Sequence, residues 1–180
     1  MEKLEFKLLT LITILADQHL AYRGTLTDMC HFFGIATRDS RTNQKLRVAI
    51  QSLETKGFIK TIMDGRTWTL SLAKKAERGH SVIRIKREWV LAAKTCQGNG
   101  VDWSAVLKVW LYLIDNTEET ITSSDIANEL NISISSVSRA KGVLMKQLNA
   151  VIFKPINKQT KSGEYHCLGS SVTLNAWIDE

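Results

Sequence analysis

Proline and glycine are scarce in this sequence, and their scarcity limits how the chain can be organised. Proline occurs once in 180 residues, at Pro155, and glycine occurs ten times. These counts leave no room for a proline-rich or glycine-rich linker. Hydrophobic residues make up 44% and charged residues 23%, close to the averages of globular domains, which argues against extended disorder and for a packed core. The length suits one medium domain or two small ones.

Cysteine is also rare, and its spacing argues against a disulfide framework. Cys30, Cys96 and Cys167 lie far apart, and an odd count with no CxxC pair is not typical of a zinc site. His31 adjoins the first cysteine and His166 the last, but adjacent residues of a helix or strand point apart. We therefore expect no metal site and three free, mostly buried thiols in a reducing cytoplasm, with surface imidazoles beside them.

No apolar run is long enough to span a membrane. The run at residues 8–16 is far short of the roughly 20 residues that a spanning helix needs. Two glutamates and two lysines precede it, and no small-residue cleavage site follows, which argues against a secretory signal. We expect a buried helix of a soluble cytoplasmic protein with no membrane partner.

The sequence also lacks recognisable catalytic motifs. It contains no Walker-type phosphate loop, no GxGxxG, no HExxH and no nucleophile elbow. We therefore expect a protein that is not an enzyme, with no catalytic residues and no cofactor.

Positive charge is present in excess and is unevenly distributed. The chain has 24 basic and 18 acidic residues, a net charge of +6, and a pI near 9.3. Residues 1–90 hold 16 bases and 9 acids, whereas residues 91–180 hold 8 and 9. Within the second half, residues 133–161 nevertheless carry six bases and no acid. This balance indicates an anionic partner wherever it coincides with a binding motif.

The first half of the chain contains the signals of three helices. Apolar residues at three- and four-residue spacing predict a helix over residues 3–20. Thr25 is a candidate N-cap, with Asp28 in the capping-box position, for a short helix that ends near Gly34. A longer helix is predicted over 41–56. Its expected inner face consists of Leu46, Ala49, Ile50 and Leu53.

A β-hairpin is predicted immediately after these helices. Two alternating runs, residues 58–63 and 66–72, flank Asp64-Gly65, which is the strongest short-range hairpin signal. The predicted cross-strand pairs are Ile59 with Leu70 and Thr61 with Trp68. Tryptophans 68, 89, 103 and 110 are expected in the core or at domain interfaces, and Trp177 has the alternative of packing against another chain.

The second half repeats this order of elements. The predicted elements are a helix over 103–116, a short helix over 124–130 capped by Thr122 or Ser123, a helix over 134–148, and strands at 151–154 and 165–168 around a polar stretch at 157–163. The segments from Thr25 to Ile35 and from Thr122 to Ile132 match at a constant offset of 97. This spacing lets a short helix, a tight turn and a second helix share one small core.

Residues 126–139, IANELNISISSVSR, form a typical helix-turn-helix stretch. Together with the hairpins, they make the sequence resemble the winged helix-turn-helix superfamily, as a tandem pair covering nearly the whole chain. The resemblance implies a mainly α fold with small β-hairpin wings, in the α+β class. A looser likeness around residues 23–26 is to replication and regulatory proteins of bacterial phages and plasmids, without the long dimerisation elements usual in plasmid initiators.

The two copies are joined by a basic connector. We predict an N-terminal winged-helix domain over 1–79 and a C-terminal one over 80–180 that begins with this connector. Residues 81–86 alternate like a strand, and 87–95 are a candidate helix. Residues 73–87 hold six bases and one acid. The bases either contact DNA phosphates between the two domains or only keep the connector soluble.

The resemblance implies that the helix after each turn enters a DNA major groove. Arginine pairs with guanine, and asparagine or glutamine with adenine, so the first copy has residues suited to base recognition. The second copy offers mainly hydroxyls, which suit phosphates or permissive base contacts, so we expect a weaker reader there. The predicted DNA-binding residues are Arg38, Arg41, Asn43, Gln44, Lys45, Arg47, Lys60 and Arg66 in the first copy and Ser133, Ser135, Ser136, Ser138, Arg139, Lys141, Lys158 and Lys161 in the second.

The expected function is sequence-specific binding of double-stranded DNA, in transcription regulation or in replication of a mobile element. A homodimer, or a replication or transcription protein, is the expected further partner. The chief alternative is a winged-helix interaction scaffold in a replication or phage complex with little DNA binding of its own. An enzyme is a distant third possibility, because no residue constellation supports it.

Overall fold

The computed structural model describes residues 2–16, 21–36, 40–73, 86–96, 101–117, 120–159 and 165–175. The fold is α+β, and the chain divides into two compact units, residues 1–87 and 88–180. The predicted boundary at residue 79 and most of the basic connector lie outside the described residues.

The described part of the first unit contains three helices and a three-stranded antiparallel sheet of strand order β1-β3-β2. Its elements are α1 (Lys3–Leu15), β1 (Ala21–Thr25), α2 (Leu26–Phe33), α3 (Ser40–Thr55), β2 (Ile59–Asp64) and β3 (Thr67–Leu72). The first helix was expected to reach residue 20, but it ends at Leu15, the last residue of its apolar periodicity. The strand β1 was not predicted, because its five residues form a strand only by pairing with β3, which lies more than 40 residues away.

A buried carboxylate fastens α1 to α3. Glu5 is 3% exposed and accepts hydrogen bonds from Ser52 Oγ (2.7 Å) and Lys56 Nζ (2.6 Å). Its other oxygen accepts the backbone N–H of Glu2 (2.9 Å), which closes the capping box of α1. Burial alone would raise the pKa of Glu5, but these hydrogen bonds and the charge of Lys56 outweigh it and lower the pKa to about 2.

The predicted caps of the two short helices are confirmed. Thr25 Oγ1 accepts the backbone N–H of Asp28 (3.2 Å), and Asp28 accepts the backbone N–H of Thr25 (2.7 Å). Gly34 ends α2 in the left-handed conformation, with φ of 66°. The predicted inner face of α3 is also confirmed, because its four apolar residues are all buried.

The hairpin is present, but the predicted register was wrong by two residues. Asp64 pairs with Thr67, so the central turn residues are Gly65 and Arg66. Glycine takes the positive φ, 57°, that this turn requires, and Asp64 stays in the strand. The observed pairs are Ile59 with Leu72, Thr61 with Leu70 and Met63 with Trp68.

The shifted register explains why Trp68 is not a core residue. A shift of two residues leaves each side chain on its expected face of the sheet but moves Trp68 one pair towards the hairpin tip. There it is half-buried, with exposed Met63 opposite. The expectation of a core position was therefore wrong for Trp68.

The second unit repeats the order of the first in part, with an additional helix at its start. Its elements are α4 (Arg87–Thr95), α5 (Trp103–Asp115), α6 (Ser123–Leu130), α7 (Ile134–Lys146), β4 (Val151–Gln159) and β5 (Tyr165–Leu174). The strands are longer than predicted, so residues 157–159 lie in β4 rather than in a loop. The core expectation is confirmed for Trp89, Trp103 and Trp110, and the first stacks on the last with ring centroids 5.3 Å apart. Trp177 lies outside the described residues.

The offset of 97 is reproduced in three dimensions. The helices α2 and α6 have bounds that differ by 97, and Thr122 and Asp125 form the same capping box as their counterparts in α2. Asn131 replaces Gly34 as the left-handed C-cap, with φ of 50°. At the position equivalent to Gly24 of β1, Ile121 forms a single bridge with Ser170 of β5. Among the described residues, the counterpart of β1 in the second unit is thus reduced to this one bridge.

Cysteine burial differs from the expectation. All three cysteines are free, but only Cys30 is buried, Cys96 is half-buried and Cys167 is exposed. Burial raises the pKa of the Cys30 thiol. Cys167 lies in β5 beside the β-bulge, where its Sγ donates to the Gly169 carbonyl oxygen (3.4 Å). Among the described residues, no cluster suited to a metal ion occurs and no helix has the length and apolarity to cross a membrane.

Candidate nucleic-acid interface

Side chains from three elements of the first unit share one cleft of about 340 Å³. Asn43 and Arg47 project into it from α3, and Arg66 from the hairpin turn. The rest of its wall consists of residues 25–27 at the start of α2 and of Gly65 and Trp68 in the hairpin. We call this the α2–α3 cleft. Hydrogen-bond donors of three kinds, namely two guanidinium groups, an amide and the Thr27 hydroxyl, therefore converge on one concave surface.

Asp28, which caps the helix at the edge of this cleft, is already engaged. The carboxylate of Asp28 accepts the backbone N–H and the hydroxyl of Thr25, both at 2.7 Å. These hydrogen bonds, first the backbone one, lower the pKa of Asp28. The carboxylate thus stays ionised and serves the helix cap, and none of the described residues that line the cleft is acidic.

The other predicted residues of α3 lie on its opposite flank. Arg41, Gln44 and Lys45 are exposed and line a groove of about 700 Å³ between α3 and the start of α1, with Glu2 among the residues on the far side. We call this the α1–α3 groove. Val48, 60% exposed, lies on the same flank. The predicted recognition residues of α3 are thus divided between two sides of one helix.

Arg47 also contacts an aromatic ring. Its guanidinium carbon lies 5.7 Å from the centroid of the Trp68 ring, within the range of a cation–π contact. Beyond this pair, α3 and the hairpin are tied together by Glu54, which accepts the N–H (3.1 Å) and hydroxyl (2.6 Å) of Thr61. These contacts therefore fix the position of the hairpin beside α3.

Lys60 is not brought together with these residues. It alternates with Thr61, which faces α3, so its side chain lies on the opposite face of the sheet. Arg23 of β1 lies on that same outer face, in the row formed with Thr69 and Ile62. Arg38 and Lys161 lie outside the described residues.

In the second unit, three of the predicted serines serve the start of α7. Ser133 is its N-cap and accepts the backbone N–H of Ser136 (3.2 Å). Its hydroxyl also lies within hydrogen-bonding distance of the hydroxyls of Ser135 (3.0 Å) and Ser136 (2.8 Å). Ser138 and Arg139 are exposed farther along the helix. The cluster thus has a structural role in capping α7. From the sequence, these serines were assigned to DNA contact alone.

Lys141 is held in place by two neighbours. Its Nζ lies 4.3 Å from the centroid of the Phe153 ring in β4 and donates to Ser123 Oγ at the start of α6 (3.4 Å). It is half-buried, and this desolvation lowers the pKa of its ammonium group. Lys158 is exposed on the outer part of the same strand.

The aromatic partners of Arg47 and Lys141 were missed from the sequence. Arg47 and Lys141 are each the eighth residue of their helix, α3 or α7. This common position, together with an aromatic residue in each hairpin, was a signal from which such pairs could have been predicted. The pairing itself depends on how a hairpin packs on a helix, which no local pattern reports.

Comparison with known proteins does not place the chain in a family. A scan against protein-family models finds no match, and a search of curated proteins finds no significantly similar sequence.

Proposed function

We propose that this protein binds double-stranded DNA sequence-specifically through two tandem winged helix-turn-helix domains. In this proposal α3 and α7 are the recognition helices, and the hairpins β2–β3 and β4–β5 are the wings. The protein acts as a transcriptional regulator or as a replication-associated protein of a bacterial mobile element. The element order of the first unit, with its three-stranded sheet, and its partial repetition in the second support this reading.

The α2–α3 cleft is the observation that carries the proposal. It combines Arg47 and Asn43, whose side chains pair with guanine and adenine, with Arg66 on the hairpin turn. The backbone N–H groups at the start of a helix and an arginine beside them are typical contacts for DNA phosphates. Base recognition and phosphate contact are therefore available from one surface.

The α1–α3 groove contributes from the other flank of the same helix. A major groove is about 12 Å wide, and a helix with its side chains is about 10–12 Å across, so both flanks of an inserted helix meet the groove walls. Arg41 and Gln44 then contact bases or phosphates on the side away from the hairpin. In this way the division of the recognition residues suits contact with both DNA strands.

The second unit is the weaker reader in this proposal. At the helix positions of Arg41, Gln44 and Lys45, it has Ser135, Ser138 and Arg139. Short hydroxyl side chains provide less base discrimination than arginine and glutamine. The second unit therefore extends the bound site through phosphate contacts or mediates dimerisation.

The experiment that tests the proposal is fluorescence anisotropy with a labelled duplex of mixed sequence over a salt series. We expect affinity to fall steeply with salt, with a slope that corresponds to several displaced phosphate counterions. A site selected from a random pool should then bind better than its scrambled version at the same salt concentration. Absence of binding at the lowest salt concentration would refute the proposal, and equal binding of selected and scrambled duplexes would refute its sequence specificity.

One observation favours the scaffold as a second candidate. The hairpin of the first unit exposes several large apolar side chains, which is a feature of protein-docking surfaces. These residues are Phe58, Ile62, Met63 and Leu72. In that case Ile62→Ser should abolish capture of a partner from native extract while leaving DNA affinity unchanged. Loss of DNA affinity with Ile62→Ser would instead assign this hairpin to the DNA interface.

A further inference from the structure

A similar pair of side chains occurs in each unit. In each case a cation at the eighth position of the second helix of the helix-turn-helix lies over an aromatic ring of the hairpin. In the first unit the pair is Arg47 and Trp68, and in the second it is Lys141 and Phe153.

The two pairs do not follow from simple copying of the sequence. Trp68 lies in β3, the returning strand of its hairpin, whereas Phe153 lies in β4, the outgoing strand. The cations also differ, since one is a guanidinium and the other an ammonium. The same spatial arrangement is therefore reached with different residues from different strands, which indicates that the arrangement itself is used.

Each pair also lies in the same place relative to the preceding helix. Arg47 lines the cleft with Thr25 and Thr27 at the start of α2. Lys141 donates to Ser123 at the start of α6. Thr25 and Thr122, at offset 97, are the N-caps of these two helices. Each ring thus fixes a cation on the part of the unit that the DNA proposal assigns to the nucleic acid.

A cation–π contact is suited to hold a side chain that must still bind a ligand. It is made with the face of the ring and uses no hydrogen-bond acceptor, so the N–H donors of the cation remain available. It also restricts a long and flexible side chain before binding. This restriction reduces the conformational entropy that is lost when the complex forms.

We propose that Trp68 and Phe153 are positioning residues for DNA binding, each of which orients the cation that contacts the nucleic acid, Arg47 or Lys141. The inference rests on the proposed DNA-binding function and adds to it a residue in each wing that acts on binding through its neighbouring cation. Trp68 lines the α2–α3 cleft beside Arg47. Because ordering a long side chain has a free-energy cost, loss of the ring should weaken binding about threefold to tenfold.

The test is a double-mutant cycle in the full-length protein on the selected duplex. Trp68→Leu keeps an apolar side chain without the ring, and Trp68→Phe keeps a ring. We expect Trp68→Leu to weaken binding about threefold to tenfold and Trp68→Phe to weaken it about twofold at most. In the Arg47→Ala background, Trp68→Leu should have no further effect. Phe153→Leu with and without Lys141→Ala repeats the cycle in the second unit.

A purely structural role of the ring would give a different result. Trp68→Leu would then weaken binding equally with and without Arg47, and this equality would overturn the proposal, as would equal losses for the leucine and phenylalanine variants. Urea unfolding of each variant identifies any that fails to fold, and the phenylalanine variant and the second-unit cycle remain as tests if Trp68→Leu does. Wild-type protein that binds no duplex would overturn the DNA function itself. Wild-type binding without coupling between ring and cation would overturn the positioning role alone.

Discussion

At the scale of single residues, charge is used in two separate ways in the first unit. Glu5 and Lys56 form a partly buried pair that joins α1 to α3. Arg47 and Arg66 instead lie open to solvent at the α2–α3 cleft. The first arrangement stabilises the fold, and the second leaves cationic groups available to a ligand. Substitution should therefore affect stability in one case and DNA binding in the other.

Glu5 should make the first unit sensitive to acid. Its pKa is about 2 in the folded protein, below the ordinary value of 4.5, so its contribution to stability is complete above about pH 4.5 and is lost as the pH falls towards 2. The contribution at neutral pH is on the order of 3 kcal/mol. Urea unfolding between pH 2 and 7 should show a smaller acid-dependent loss for Glu5→Gln than for the wild type.

Asp64→Asn is the control for this titration, because Asp64 is exposed at the hairpin end and its substitution also removes one carboxylate. Its stability should follow the wild-type pH profile. If Glu5→Gln also followed that profile, the interpretation of the Glu5 hydrogen bonds would be wrong.

Arg47 should matter for DNA binding far more than an arginine on the outer sheet face. Arg47→Ala is expected to weaken binding to the selected site by about 1–3 kcal/mol and to relax its specificity, because a bidentate base contact is lost. Arg41→Ala should have a similar effect from the other flank of α3. Arg23→Ala removes the same charge from the outer face of the sheet and should change affinity little. Anisotropy titrations of the three variants would contradict the interface if Arg23→Ala had the largest effect.

At the scale of elements, the short helices and the sheets have different origins of stability. The helices α2 and α6 are bounded by caps within their own sequence. The sheets depend on contacts between strands that are distant in the chain, including the bridge between Ile121 and Ser170. Two glycines of the second unit allow this difference to be measured.

Gly142 and Gly169 should respond to alanine with opposite signs. Gly142 lies inside α7 with open space around its missing Cβ, so Gly142→Ala should stabilise the protein by about 0.5–1 kcal/mol. Gly169 has φ of 152°, and an added Cβ would lie 2.8 Å from Thr120 Cγ2 and 3.1 Å from the Ile121 carbonyl oxygen. Gly169→Ala should therefore destabilise the protein by about 1–3 kcal/mol and disrupt the Ile121 bridge. Equal effects of the two substitutions in urea unfolding would contradict this account of the β5 edge.

At the scale of the whole molecule, the two units repeat one architecture with different surface chemistry. The first presents arginine, asparagine and glutamine along α3, and the second presents serines and one arginine on the outer face of α7. Under the proposed function, this difference makes the first unit the stronger reader and the second the weaker one. The proposal then predicts a DNA site with two unequal parts.

The DNA footprint should cover about two adjacent major grooves, roughly one helical turn apart, if both units bind one face of the duplex. Hydroxyl-radical footprinting of the selected site should show two protected segments. Arg47→Ala should weaken protection of one segment first, and Lys141→Ala that of the other. Protection of a single groove by the wild-type protein would refute the two-reader arrangement.

The local features of both units could be predicted because they depend on neighbouring residues. Thr25 and Asp28 are three residues apart, and so are Thr122 and Asp125, so the caps are formed within one turn of helix. The buried face of α3 follows from the three- and four-residue spacing of its apolar residues. The bounds of α4 and α5 were close to those expected for the same reason.

Features that join distant parts of the chain were predicted less well. The turn is formed either by Asp64-Gly65 or by Gly65-Arg66, and the choice depends on which register packs best against both the helices and β1. The predicted pairs of β2 and β3 were therefore displaced by two residues. The pairing that creates β1 left no periodic signal in its five residues. The strands β4 and β5 extend into a polar stretch because each supplies the hydrogen bonds of the other.

The sequence by itself determined the caps, the helix faces, the internal repeat at offset 97 and the concentration of positive charge in the first half. Each of these is a property of residue order over short distances or of composition. Only the tertiary structure decided that Asn43, Arg47 and Arg66 share a cleft, that Lys60 lies on the opposite sheet face, and that aromatic rings hold Arg47 and Lys141. The physical reason is that the packing of a hairpin against a helix selects the neighbours of each side chain, and this selection involves residues far apart in the chain.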